Sequence, residues 1–148
     1  MPPASVLILC TGNSARSQMA ERFLKSFAPE LDVYSAGTEP AAAVNPCAVR
    51  VMAELGLDIS RNRTKSVTAF LQQSFDFVIT VCDDANRACP AFTGSLRRRL
   101  HMGFADPARA AGSQEEILEA FRGVRDRIRE RMLAFCSAEI GPAARNAV

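Results

Sequence analysis

The sequence predicts an α/β domain: a central four-stranded parallel sheet with helices on both faces, giving three layers. Two observations carry this. Short apolar stretches alternate along the chain with segments of helical periodicity, and strands separated by helices imply parallel pairing with both faces covered. In addition, Cys10, Cys82 and Asp106 each fall at or just after a predicted strand end, where open parallel sheets gather their reactive groups.

The first strand is read from Val6-Leu7-Ile8-Leu9. A helix from Ser14 or Ala15 to about Phe27 follows, with Met19, Phe23, Leu24 and Phe27 on one face and Pro29 ending it. Asp32 to Ala36 reads as a second strand, stopped by Gly37. Asn45-Pro46 is a helix entry, with Asn as cap and Pro at the first position. That helix runs to about Leu55, where Gly56 suits a left-handed cap. A shorter helix is expected from Thr64 to Gln73. Phe75 to Val81 is the strongest strand signal, and Leu100 to Gly103 a weaker fourth one. Ile117, Phe121, Val124, Ile128, Met132 and Phe135 keep helical spacing, which predicts a long amphipathic helix from about Gln114 to Ser137. With no repeat, linker or low-complexity segment, residues 1–148 form one domain, its tail from Gly141 to Val148 expected to fray.

Composition bounds the function. The 148 residues are 48% hydrophobic, so the chain is neither disordered nor membrane-spanning. Its start, Met1-Pro2-Pro3-Ala4-Ser5, lacks the charged and apolar regions of a signal peptide, so a cytoplasmic location is expected. Net charge is +2, and the triplet Arg97-Arg98-Arg99 belongs to no nucleic-acid-binding signature. It reads as the solvated rim of a strand that also steers anions. Five cysteines in such a chain argue for catalytic or redox roles over a disulfide framework. No metal site is expected, because Cys82 and Cys89 lack zinc-knuckle spacing and His101 is the only histidine. Cys47 and Cys136 fall at apolar positions of predicted helices and read as core residues.

The run Cys10-Thr11-Gly12-Asn13-Ser14-Ala15-Arg16-Ser17 stands at a strand-to-helix turn. Such a turn wraps backbone N–H groups around an anion, and the helix beginning there adds its positive end. Arg16 supplies a planar fork for two oxygens of a tetrahedral dianion. The same environment is expected to pull the Cys10 thiol below its ordinary pKa of about 8.5, so that thiolate predominates at pH 7. The competing reading is a buried cysteine beside an unrelated surface arginine. Asp106-Pro107 serves equally as a loop-starting turn or as a loop carboxyl able to act as general acid.

Asp83 and Asp84 favour a helix start after Cys82, and Pro90 stops it after Cys89. Seven residues of helix at 1.5 Å each would separate the two cysteine Cα atoms by about 10 Å. A disulfide tolerates at most about 7 Å, so joining them requires the turn to unwind. By themselves, the pair reads as two unrelated cysteines, one ending a core strand and one in a loop.

Together, Cys10 to Ser14 with Arg16 to Glu21, Tyr34-Ser35-Ala36-Gly37, Cys82 to Pro90, and His101 with Gly103-Phe104 and Asp106-Pro107-Ala108 resemble the low-molecular-weight phosphotyrosine phosphatase fold. The added Cys82 and Cys89 resemble the thioredoxin-coupled arsenate reductases built on it. The likeness spans about the whole globular chain. It implies reduction of arsenate to arsenite for arsenic detoxification, with phosphate as competing anion. Cys10 would attack arsenate, held by Arg16, Ser17 and the N–H groups of Thr11, Gly12, Asn13, Ser14 and Ala15. Ser17 would keep Cys10 ionised, and Asp106 would protonate the departing hydroxyl. Cys82 would then attack Cys10, releasing arsenite. Cys89 would attack Cys82, leaving a Cys82–Cys89 disulfide for thioredoxin, the external reductant.

No bound cofactor is implied, and a monomer is expected. Some members hold potassium through residues matching Asn13, Glu21 and Ser35 plus an acidic side chain. Here the acidic position is Ser66, which argues against that site. Met102 stands where relatives often carry Trp, and Ala108-Arg109-Ala110 where phosphatases place stacking tyrosines. The alternatives are a phosphatase hydrolysing phosphomonoesters and a non-enzymatic oxyanion or redox sensor. Cys82 and Cys89 separate the first from a reductase, because a hydrolase has no need of them.

Overall fold

The computed structural model describes residues 3–141; the expectation for the tail beyond Gly141 lies outside them. Four strands, β1 (Ser5–Cys10), β2 (Asp32–Gly37), β3 (Phe75–Thr80) and β4 (Leu96–His101), form one sheet in the order β2-β1-β3-β4. All three pairings are parallel, as expected of strands joined through helices. In β1, Val6 to Leu9 are wholly buried, because the strand lies inside the sheet and both its faces are covered.

Side chains alternate between the two faces. Val6, Ile8, Val33 and Phe77 face α1 (Arg16–Phe27) and α4 (Gln114–Phe135), where the Phe77 and Phe135 rings meet edge-on at 5.0 Å. Leu7, Tyr34 and Val78 face the other way, and Tyr34 meets Phe70 at 5.6 Å. The second short helix on that side is α3 (Asp83–Ala88), whose Asn86 lies against Thr80. These are the three expected layers.

Local chemistry sets the helix ends. The Asn45 side chain accepts from the Cys47 N–H and opens α2 (Pro46–Ala53), with Pro46 at its first position. Gly56 then takes a left-handed φ of 75°. Ser113 and Glu116 form a reciprocal capping box at the start of α4. Arg125 of α4, almost buried, donates to the Val51 carbonyl and pairs with Glu54 at 2.8 Å, which ties α4 to α2.

Four expectations need correction. The helix expected over Thr64–Gln73 is reduced to a 3₁₀ turn, Val67–Phe70. The Ser66 hydroxyl captures the Thr68 N–H, and residue 66 bridges Gly37 as extended chain, so the segment is drawn onto the sheet end instead of coiling. The fourth strand lies at Leu96–His101, upstream of the expected Leu100–Gly103. It is an edge strand whose arginines are exposed, so its apolar signal is nearly absent, and charge there blocks pairing with other chains. The final α-helix stops at Phe135 and continues as a π turn, Cys136–Ile140. Cys136 is buried as expected, whereas Cys47 is only half-buried in the first turn of α2.

Ile128 is wholly buried within α4. Ile128→Ala is expected to cost about 2–5 kcal/mol, the range for a cavity left by a large aliphatic side chain, measured by urea denaturation.

Candidate active site

β1 and β3 are neighbours, with Leu9 opposite Thr80, and the Val81 N–H continues the ladder to the Leu9 carbonyl at 2.9 Å. The two chain ends therefore leave the sheet side by side, one carrying Cys10 and the other Cys82. Cys10 is buried at the end of β1. The loop that follows is shaped by bonds on its outer side. The carbonyls of Thr11, Gly12 and Ser14 accept the N–H groups of Glu39, Ala41 and Asn45 at 2.8–2.9 Å. In a trans peptide the N–H points opposite to the carbonyl. The N–H groups of Gly12, Asn13 and Ala15 are thus turned to the inner side of the loop. Among the described residues they find no protein acceptor, which makes the loop a ready anion cradle.

Asn13 is its keystone. It is wholly buried and left-handed, with φ 51°, a conformation asparagine tolerates better than most residues. Its side-chain amide donates to Ser17 Oγ at 2.8 Å and Ser35 Oγ at 2.9 Å, while its Oδ1 accepts from the Lys65 N–H at 2.9 Å. Gln18 Nε2 donates to the Asn13 backbone carbonyl at 3.1 Å. The Ser17 hydroxyl accepts from Asn13 and keeps its own proton to donate. Gly37 lets the cradle sit against β2, since a Cβ there would collide with the Thr11 carbonyl. These ties were missed at the sequence level. Gly12-Asn13 is a turn signal that would have flagged the left-handed residue.

Ser35 in turn donates to Glu21 Oε1. Glu21 is nearly buried and carries two ammonium partners, Lys25 Nζ at 2.6 Å and Lys65 Nζ at 3.7 Å. Among the described residues, no cluster of three or more His, Cys, Asp or Glu could hold a metal ion.

Arg16 opens α1. Its guanidinium donates to the Phe104 carbonyl at 3.1 Å and lies 3.6 Å from Asp106 Oδ2. Asp106 makes the loop-starting turn that the sequence offers. Its Oδ1 caps the 3₁₀ turn Pro107–Arg109 through the Ala108 N–H, while Oδ2 faces Arg16 and, at 3.8 Å, Arg109. An open cleft of about 750 Å³ gathers Thr11, Arg16, Cys82, Phe104, Asp106 and Arg109. Of the predicted site residues, Thr11, Arg16, Cys82 and Asp106 line this cleft.

Cys82 caps α3, accepting from the Ala85 N–H at 3.4 Å, and its sulfur lies 3.3 Å from Thr11 Oγ1. The two thiols interact strongly. Hydrogen bonding to Cys82 and burial hold Cys10 far above the ordinary thiol range, although Arg16 and the Thr11 N–H oppose them. The same interaction with Cys10, with Thr11 and the Ala85 N–H, lowers Cys82 to about 5. The two thiols therefore titrate as a pair, in which one sulfur's charge favours the proton on the other. Cys82 stands 72 residues from Cys10 along the chain, so the sequence around Cys10 carries no sign of this coupling.

Cys89 is not brought into the cleft. It stands at the far end of α3, half-buried, with its thiol near the Pro90 carbonyl at 3.8 Å, and burial raises its pKa. All five cysteines are free thiols.

The chain is similar to known proteins over most of its length. The profile described as low molecular weight phosphotyrosine protein phosphatase matches residues 5–144. An arsenate reductase of Halalkalibacterium halodurans is 49% identical over 137 residues, covering 92% of this chain and 96% of that protein. One from Bacillus subtilis is 44% identical with the same coverage, 92% and 96%. A solved arsenate reductase in a phosphate-binding state superposes with a TM-score of 0.77 at 30% identity, over 90% of this chain and 97% of that one. A tyrosine phosphatase of Erwinia amylovora shares the fold, with a TM-score of 0.77 at 22% identity, over 92% and 93% of the two chains.

A thiol with a lowered pKa is ionised above its midpoint. The thiolate absorbance of the reduced chain is therefore expected at pH 7 and should vanish on acidification through about 5. Thr11→Val removes one of the hydrogen bonds that lower Cys82, so it should move the midpoint upward.

Proposed function

The chain belongs to the low molecular weight phosphotyrosine protein phosphatase family, and from that premise we propose that it is an arsenate reductase working through a three-cysteine relay. The observation that carries the reading is the placement of the Cys82 sulfur 3.3 Å from Thr11 of the anion cradle, in one cleft with Arg16 and Asp106. A phosphatase needs the cradle, the arginine and the carboxyl, but has no use for a second thiol there.

Arsenate enters between the inward N–H groups and the Arg16 guanidinium. The coupled pair holds one proton, which rests on Cys82 when the anion is seated, so Cys10 is the thiolate that faces arsenic. The Ser17 hydroxyl proton supports that thiolate. Cys10 forms a bond to arsenic, and a hydroxyl leaves as water with a proton from Asp106. Cys82, its proton passed to an arsenic oxygen, attacks Cys10. A Cys10–Cys82 disulfide forms and the sulfur–arsenic bond breaks. Its electron pair stays with arsenic, which is thereby reduced from As(V) to As(III) and leaves as arsenite.

Cys89 then attacks Cys82, returning Cys10 as thiolate and leaving a Cys82–Cys89 disulfide at the mouth of the cleft. Thioredoxin, a protein dithiol, reduces that bond by the same exchange chemistry. A catalytic cysteine relay recharged by a protein dithiol suits a reducing compartment, and we place the enzyme in the cytoplasm. Among the described residues no helix is long and apolar enough to cross a membrane. Leu55 is the one large hydrophobic side chain among them that is exposed, which favours a monomer.

Phosphate shares the shape and charge of arsenate and competes for the cradle. The same Cys10 and Asp106 would hydrolyse a phosphomonoester. Arg109 and alanines follow Asp106-Pro107 where an aromatic platform would stack on phosphotyrosine, so small anions fit the cleft better.

Two outcomes are expected. Cys82→Ser should abolish arsenate turnover with thioredoxin, its reductase and NADPH, yet spare hydrolysis of a small aryl phosphate; equal loss of both would defeat the relay. With Lys25 and Lys65 neutralising Glu21, arsenate turnover should be unchanged when potassium is replaced by choline. Stimulation by potassium would show that Glu21 recruits a metal cation instead.

A further inference from the structure

α3, the segment between Cys82 and Cys89, is held to the sheet by polar interactions and very little else. Ala85 is its one buried side chain. His101, at the end of β4, lies with Nδ1 at 2.7 Å from Thr80 Oγ1 and with Nε2 at 3.0 Å from Asp83 Oδ1 in the first turn of α3. A neutral imidazole that donates from Nε2 to the carboxylate keeps Nδ1 free to accept the Thr80 hydroxyl proton. Thr80, wholly buried, is also 3.3 Å from Asn86 Oδ1 in the second turn. Arg99 of β4 donates to the Asn86 carbonyl at 3.2 Å. Gly103 leaves room for this clasp, since a Cβ there would lie 3.3 Å from His101 Nε2 and 3.4 Å from Asp83 Oδ1.

The clasp matters for the second disulfide. While α3 is helical, the Cα atoms of Cys82 and Cys89 are about 10 Å apart, beyond the roughly 7 Å that a disulfide spans. Closing the bond unwinds α3, and Asp83 and Asn86 must then leave their partners His101 and Arg99 on β4. Those hydrogen bonds therefore stabilise the dithiol form alone.

We propose that His101 is a positioning residue that, by bridging Thr80 and Asp83, keeps α3 wound and biases the Cys82/Cys89 couple towards the dithiol. This rests on the relay reading above, to which it adds a restraint on timing. Cys89 is kept away until Cys82 has been drawn towards Cys10, so the outer disulfide does not close before arsenate has reacted.

The test is a redox equilibrium of the full-length chain carrying Cys10→Ser, set in mixtures of reduced and oxidised dithiothreitol. There the protein dithiol passes two electrons and two protons to the oxidised reagent, and the Cys82–Cys89 bond is read by acid quench, alkylation and mass. Adding His101→Phe should shift the midpoint about fivefold towards the disulfide, as expected for loss of one or two net hydrogen bonds. Asp83→Ala, at an exposed position, should shift it the same way by less, and His101→Gln, which keeps a donor and an acceptor, should recover part of the effect. An unmoved midpoint in both His101→Phe and Asp83→Ala, or a shift towards the dithiol, overturns the proposal and leaves the relay intact. Absence of any Cys82–Cys89 bond with His101 present overturns the relay, and the proposal with it.

Discussion

The parallel pairing of β1 with β3 is the constraint on which the rest of the molecule depends. With Leu9 opposite Thr80, the two strands end level, and the Val81 N–H extends the ladder just far enough to set Cys82 beside the cradle that follows Cys10. A slip of one residue would turn the side chains of one strand to the opposite face. Two sulfurs held this closely cannot ionise independently. Charge on one sulfur favours the proton on the other, while Arg16, Thr11 and the Ala85 N–H favour a thiolate within the pair.

Rigidity and looseness are divided between the two chain ends. The cradle is fixed from outside by bonds from segment 39–45 and from within by Asn13, whose amide links Ser17, Ser35 and the Lys65 backbone. Its N–H groups are thus aimed before an anion arrives, which is how preorganised donors gain their strength. α3 lies at the other extreme, six residues long with a single buried side chain. Segments with little buried apolar surface open at low cost. A relay needs both: a fixed seat for the anion, and a movable arm that carries the outer sulfur to it.

Much of the site was legible because its chemistry is local. Cys10, Arg16 and Ser17 lie within one turn of chain, and the cap at Asn45-Pro46 and the stop at Gly56 follow from side-chain and backbone preferences alone. β4 lies upstream of its expected place because an edge strand with three exposed arginines needs no apolar alternation to pair through its backbone. The helix expected after Thr64 gave way to an extended stretch because the Lys65 carbonyl and residue 66 are taken by Gly37, a partner distant in sequence.

The amino-acid order by itself determined the alternation of elements, the anion loop and the set of cysteines, since each depends on residues a few positions apart. Only the tertiary structure decided that Cys10 and Cys82 titrate together, which groups clasp α3, and which ammonium groups neutralise Glu21. Those outcomes depend on distances between chain segments that meet through the sheet, and a charge responds to whatever lies within a few ångströms of it, however remote along the chain.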